Sequence, residues 1–384
     1  MTHIAAPPFR HYSGSMQPNI ILVGEAFGEA EEESKRPFAG MSGRELFLML
    51  GEAGFGGEEW SRARKLFYTG LGWLGAREDW LRAQGLGMTN VLALRPPDNK
   101  IAALCCSKKE LPHGYSHSPM DQGAYLRPEY LPELDRLRDE LQQLKPNLVV
   151  ALGNVACWAL LGTRGISGLR GTTSQERLTG LNLKVLPTYH PAGVMRNWSW
   201  RQIVVGDLFK SRRESGFAEI RRPERSIILN PTIEEVEEWT QVAIKSAAPL
   251  SCDTETAMGG ITMVGFASSR SRAIVIPFRN FLGGNGPIHY WPSIEHEVRA
   301  WLCVRNLLLA PNPKIFQNGL YDLQYFMRLG LRPLNCEEDT MLLHHSILPE
   351  MQKGLGFLGS VYTDEPAWKL MRKVRADEPI KADE

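Results

Sequence analysis

NIILVGEAFGEAEEE, residues 19–33, decides the fold of the first half of this 384-residue chain. Ile20 to Val23 are apolar without alternation, as expected of a strand buried on both faces of a parallel sheet. A glycine turn, GEAFG, follows at once. The same arrangement recurs downstream. Met88–Leu94 (MTNVLAL) is a strand stopped by Arg95-Pro96-Pro97. Asn147–Leu152 (NLVVAL) is a strand that enters a helix at NVACWALLG, and Leu183–Pro187 is a fourth strand. Helices are expected at Gly43–Gly51 and Tyr130–Leu144. Alternating strands and helices predict a parallel sheet covered by helices, with functional residues on the loops after the strands' carboxyl ends.

Composition bounds the rest. Hydrophobic residues make up 43% and charged residues 23%, which is ordinary for a globular protein and excludes disordered, collagen-like and coiled-coil classes. Lys and Arg total 44 against 43 Asp and Glu, so any nucleic-acid binding must come from local patches. Six scattered cysteines are too few for a disulfide scaffold and read as buried thiols in a reducing compartment. No signal peptide and no membrane-length apolar run is present, so the expected location is the cytoplasm. GxGxxG and GxxxxGK[ST] are both absent, which argues against a nucleotide-binding Rossmann protein.

The second half restarts with strand Ser226–Leu229 and helix IEEVEEWTQVAIK. Three strands at hairpin-like spacing follow, at 249–253, 261–267 and 273–278, and then helices around KIFQ. The expected division is an extension at 1–18, an α/β/α domain at 19–210, a basic linker at 211–225 and a mixed-sheet domain at 226–384. Between Arg196 and Arg225 eight Lys/Arg stand against four Asp/Glu. This stretch is read as a solvated linker face or as a phosphate-contacting stripe.

Four post-strand loops carry the chemistry: Gly24-Glu25-Ala26-Phe27-Gly28, Pro37-Phe38-Ala39-Gly40, Asn90 ahead of Arg95-Pro96-Pro97, and Tyr189-His190-Pro191-Ala192. In this order and spacing they resemble the uracil-DNA glycosylase superfamily, above all its family-4 type. That type carries GE-x-PG, an acidic stretch, PF-x-G-x-x-G and RPP-x-N; here GEAFGEAEEESKRPFAGMSG spans 24–43, TNVLALRPPDNK spans 89–100 and LPTYHPAGVMRN spans 186–197. The resemblance covers about 19–210 and implies removal of uracil from single- or double-stranded DNA without a cofactor. A buried base must be rotated out before its glycosidic bond is reached. Phe38 would stack on it. The Asn90 amide would read its edge by donating to O4 and accepting from N3–H. His190 would stabilise the charge building on O2. Glu25 and Glu31 are the carboxylates expected to assist an oxocarbenium-like sugar, with Glu29 as the fallback. Ala26 and Gly28 are expected against the base, Gly28 leaving room near its 5-position. Met195 or Arg196 would wedge into the vacated stack.

Two departures stand out. Phe27 replaces the family's turn proline. The family's four cysteine ligands for an iron–sulfur cluster are not matched, since no cysteine precedes Gly24, and no cluster is expected. A metal site built from Cys105, Cys106, His113 and His117 is the one alternative, with adjacent cysteines as poor chelating geometry.

In the second half Asp253-Thr254-Glu255 places two carboxylates at i and i+2 on one strand face, and Asn318-Gly-Leu-Tyr-Asp322 adds a third. Such clusters hold two Mg²⁺ or Mn²⁺ ions about 4 Å apart for phosphodiester hydrolysis. With Glu338–Leu343, ILPE and KGLGFLGSVYT, these motifs resemble the 3′–5′ exonuclease domain of bacteriophage polymerases of family A, a partial ribonuclease-H-like fold with Asp339 structural. The family's Y-x-x-x-D motif is missing, because Tyr362 is followed four residues on by Pro366. Asp364 or Asp377 is the only stand-in, so weak or no exonuclease activity is expected. The implied setting is phage-type replication or repair in an infected bacterium, with a separate polymerase polypeptide as partner and no membrane. The alternative is a catalytically inactive DNA-binding or assembly module of a split family A polymerase.

Overall fold

The structure, a computed structural model, describes residues 11–68, 70, 72–280 and 288–365. Within them, residues 11–221 with 356–365 form one compact unit and residues 222–355 another. No helix among the described residues is long and apolar enough to cross a membrane.

The first unit runs β1 (Ser13–Gly14), β2 (Ile20–Ala26), α1 (Glu29–Ser34), α2 (Met41–Glu52), α3 (Glu58–Phe67), α4 (Trp73–Ala83), β3 (Leu86–Leu92), β4 (Cys105–Cys106), β5 (Tyr125–Leu126), α5 (Leu131–Leu144), β6 (Leu148–Leu152), α6 (Gly153–Leu161), α7 (Ile166–Leu169), β7 (Ser174–Gln175), β8 (Lys184–Thr188), α8 (Pro191–Arg196) and α9 (Arg201–Glu214). Its sheet has the order β1-β3-β2-β6-β8-β7. The four central strands are parallel and β1 and β7 are antiparallel edges. These central strands are the four expected from the sequence, and β3, β6 and β8 are buried along their whole length. The register sets Gly24 opposite Asn90 and Leu152 opposite Thr188, so the loops after β2, β3 and β8 leave from one edge of the sheet.

The basic stretch is largely built into this unit. α9 continues to Glu214, so the first residues of the expected 211–225 linker are helical. Beyond it the buried Lys184 ammonium donates to the carbonyls of Glu214, Phe217 and Glu219 at 2.7, 2.9 and 3.2 Å, which ties down the chain as far as 219. The stripe is thus part of a packed unit along much of its length.

The second unit runs β9 (Ser226–Ile228), α10 (Ile233–Ser246), β10 (Leu250–Ala257), β11 (Gly260–Ala267), β12 (Arg272–Pro277), β13 (Arg279–Asn280), β14 (Ile288–His289), α11 (Ile294–Leu309), β15 (Lys314–Phe316), α12 (Leu320–Arg328), β16 (Cys336–Asp339) and α13 (Thr340–Ile347). Its sheet order is β16-β15-β10-β11-β12-β9. β10, β11 and β12 are antiparallel, while β9, β15 and β16 run parallel to their neighbours. This is the mixed sheet with helices that the sequence implied. Trp239, Phe266, Phe278 and Phe326 are among the side chains of its core.

The chain then returns. From Gly356 onward, through most of α14 (Leu355–Tyr362), it belongs to the first unit rather than to a domain at 226–384. The buried Arg170 guanidinium pairs with both Asp207 oxygens and donates to Ser360 Oγ at 2.7 Å. Lys210 Nζ donates to the carbonyls of Ser360 and Thr363. Phe357 and Leu358 are buried beneath this polar layer. Asp364, one of the stand-ins considered for a fourth metal ligand, pairs instead with Arg213 of α9; the other, Asp377, lies outside the described residues.

Candidate active site

The post-strand loops of the first unit enclose a cavity of about 370 Å³, lined by Glu25, Ala26, Phe27, Gly28, Glu31, Phe38, Ser42, Asn90, Pro96, Asn99, His190, Ala192 and Arg196. Eight of these residues were expected from the sequence. Ser42, Asn99 and Ala192 lie inside the quoted motifs but were given no role. Met195 is outside the lining and is exposed, and Glu29 points away on the solvent side of α1.

Asn90 sits within β3 and is buried. Its backbone is held from α5, where Arg136 Nη2 donates to the carbonyls of Asn90 and Val91 at 2.6 and 3.0 Å. Gly24, its cross-strand partner, is a glycine of necessity. A Cβ there would lie 2.1 Å from Asn90 Oδ1 and 2.5 Å from Phe38 Cζ, so the missing side chain leaves room for both the Asn90 amide and the Phe38 ring.

His190 caps α8. The Ala192 N–H donates to its Nδ1 at 3.2 Å, which leaves Nε2 as the protonated nitrogen of a neutral ring. Burial, and secondarily the charge of Arg196, pushes its pKa down to about 4. The imidazole is therefore a neutral N–H donor at neutral pH. Its ring lies 6.1 Å from that of Phe38, with the planes 28° apart. α6 closes from behind: Gly153, at φ +88°, leaves only 3.0 Å between a notional Cβ and His190 Cβ.

The two glutamates separate by environment. Glu25 has its pKa raised by burial and then by Asp121, against the opposing charges of Arg196 and Arg164. A carboxylate of this kind accepts a proton more readily than an exposed one. Glu31 has both oxygens engaged, one accepting the Gly28 N–H at 3.1 Å and the other the Gly40 N–H at 3.0 Å. It is a strut joining two loops of the pocket, whose wall it also lines. The replacement of the family's proline by Phe27 also has a local reason: the Phe27 N–H donates to the Leu94 carbonyl at 3.1 Å, a bond that proline cannot make.

The donor set for a four-cysteine cluster is not present. Up to residue 221 the sequence holds only Cys105, Cys106 and Cys157, all buried. Burial pushes the thiols of Cys105 and Cys157 up to about 11 and about 12, against thiolate formation. His113 and His117 are exposed and do not join Cys105 and Cys106 in a metal-holding group. In the second unit Asp253 and Glu255 share the exposed face of β10, as expected, but Asp322 does not join them in a three-carboxylate group. It lies buried, and Thr254, the residue between them, donates to its Oδ1 from the backbone at 2.8 Å and from Oγ1 at 2.6 Å. Among the described residues no group of three or more His, Cys, Asp or Glu side chains is placed to hold a metal. Asp339 accepts from the N–H groups of Asn318, Gly319, Met341 and Leu342, a structural cap.

Comparison of the sequence with known families and proteins matches the first unit. The family model described as uracil DNA glycosylase superfamily matches residues 11–210. The type-4 uracil-DNA glycosylase of Pyrobaculum aerophilum is 27% identical over 188 residues, 48% of this chain and 71% of that protein. The type-4 enzyme of Thermotoga maritima is 25% identical over 201 residues, 52% of this chain and 79% of that protein. A solved structure of the EXD2 exonuclease domain aligns with a TM-score of 0.23 and 12% identity, over 41% of this chain and 79% of that one. With its family model spanning more than half its length, and the cavity assembled by the loops that carry the shared motifs, this chain belongs to the uracil DNA glycosylase superfamily.

Proposed function

We propose that the first unit hydrolyses the N-glycosidic bond of deoxyuridine in DNA. The observation that carries this reading is the convergence of Phe38, Asn90, Glu25 and a neutral, Nε2-protonated His190 on one cavity. Phe38 supplies the face on which the flipped base stacks, and the Asn90 amide matches its O4 and N3–H edge. As the C1′–N1 bond breaks, its electron pair leaves with the base, and the His190 N–H stabilises the charge on O2. Water adds its oxygen to C1′ and gives up a proton to Glu25. The uracil anion takes up a proton on release. No metal or cluster enters any step. Arg196, at the cavity wall, is the wedge candidate that the geometry favours over Met195.

The finer setting, phage-type replication or repair with a separate family A polymerase, is supported by the motif order of the second half. We assign the second unit no hydrolytic step, because Asp322 is turned to Thr254 while Asp253 and Glu255 face outward. Its proposed role is docking of DNA ends or of a polymerase chain.

A single-turnover assay on an end-labelled oligonucleotide with one deoxyuridine, run in EDTA and followed by alkali, tests the main reading. Alkali-dependent cleavage at uracil that His190→Ala and Asn90→Asp abolish is the expected result. DNA binding without cleavage would replace the enzyme with the inactive assembly module.

A further inference from the structure

Arg77 is fully buried on α4 and is absent from the cavity wall, yet its guanidinium is spent on the backbone of the stacking loop. Nη1 donates to the Phe38 carbonyl, and Nη2 to the Pro37 carbonyl at 3.1 Å. Its remaining contact is a cation–π approach, 5.2 Å from the centre of the Trp73 ring. No ion pair to Arg77 is formed among the described residues, and Nε finds no acceptor. A buried cation whose direct acceptors are neutral carbonyls, with Glu78 and Glu31 acting on it only through space, is costly, and a methionine would fill the same space more cheaply. Such a group is kept for the geometry it imposes.

That geometry is unusual. Phe38 has φ +54°, the left-handed region that a bulky L residue rarely occupies. Its carbonyl is crowded from the other side by α2, where a Cβ on Gly43 would lie 1.8 Å from Phe38 O. The Phe38 oxygen is thus cradled between Gly43 and Arg77. With the backbone turned this way, the ring reaches Gly24 and takes its place beside His190.

We propose that Arg77 is a positioning residue for base recognition. By clamping the Phe38 and Pro37 carbonyls against Gly43, it holds the Phe38 backbone left-handed and so presents the stacking face to the flipped base. The proposal rests on the glycosylase reading of the site. Its consequence is specific: Arg77 acts on the bound base and on the chemical step, and leaves the DNA backbone contacts alone.

The test is a double-mutant cycle on the full chain. Arg77→Met should slow single-turnover excision about 10- to 100-fold, in keeping with a misplacement of the order of 1 Å. It should weaken inhibition by free uracil in parallel and leave the affinity for DNA bearing a product-like abasic site unchanged. Arg77→Lys, which keeps the charge and one donor, should recover part of the loss. In a Phe38→Leu background the Arg77→Met step should cost less than about twofold, because its target is gone. Gly43→Ala displaces the same carbonyl from α2 without touching the buried cation, and should reproduce the pattern even where Arg77→Met folds poorly. A folded Arg77→Met protein with full excision and uracil affinity overturns the proposal, as does an undiminished penalty in the Phe38→Leu background. Failure of the wild-type protein to excise uracil overturns the glycosylase reading and this inference with it. Normal wild-type excision with an indifferent Arg77 overturns only the latter.

Discussion

If His190 is a neutral donor, lowering the pH should unsettle the first unit in a way traceable to this one side chain. Folded, its pKa is about 4 because burial disfavours the imidazolium; unfolded, it returns to its ordinary 6.5. As pH falls through 6.5 the unfolded chain takes up a proton that the folded one refuses. Stability is therefore complete above 6.5, falls between 6.5 and 4, and levels off below 4. Linkage sets the full loss at about 3 kcal/mol and the loss at pH 5 at about 2 kcal/mol. His190→Gln has nothing to titrate and serves as the reference. Urea unfolding of both proteins at about pH 7.5 and about pH 5 should show the wild type losing about 2 kcal/mol more than the variant, in the transition that the substitution shifts. An identical pH dependence for the two would mean that His190 ionises normally. The donor assigned to uracil O2 would then be a cation over part of the physiological range, and the reasoning from burial would fail.

Other replacements separate chemistry from architecture. Glu25→Gln should cut excision by about 100-fold or more and leave thermal stability equal or higher, because burial already disfavours that charge. Glu31→Gln should do the reverse in stability, costing about 1–3 kcal/mol as an amide N–H₂ is forced against the Gly28 or Gly40 N–H; thermal unfolding distinguishes the two. Gly24→Ala should abolish excision and destabilise by about 1–3 kcal/mol through overpacking against Asn90 and Phe38, read by the oligonucleotide assay and a melting curve. Phe27→Pro should restore the family's residue without improving activity, and should lower stability by about 3 kcal/mol or more through loss of the buried ring and of the bond to Leu94.

The central strands and the loops after them were legible because a strand buried on both faces leaves an unbroken apolar run, and because a parallel sheet delivers its functional residues to one edge. Helix α4 was not read at all. It buries Arg77 and Glu78 among Trp73, Ala76, Trp80 and Leu81, so a third of its inner face looks like solvent-exposed sequence. The strut role of Glu31 was hidden for a related reason. Within an acidic run nothing marks one glutamate as a strut, and its partner Gly40 is nine residues away. In the second half, alternation correctly put Asp253 and Glu255 on one face, but spacing could not reveal that Asp322 would bond to the residue between them. The return of α14 was hidden because KGLGFLGSVYT reads as more of the domain that precedes it.

The split of the first unit around residues 222–355 carries a consequence for its biogenesis. A chain leaving the ribosome exposes the Arg170–Asp207 pair, whose Asp207 also accepts from Thr188 two residues before His190, well before Ser360 exists to complete the layer. At synthesis rates of about 5–20 residues per second, the intervening segment takes about 7–27 s to appear. During that interval the second unit has time to fold, since domains of its size do so in seconds or less. The glycosylase unit, although first in sequence, is then the last to be sealed, and a nascent chain interrupted inside the second unit leaves a buried arginine without its final acceptor.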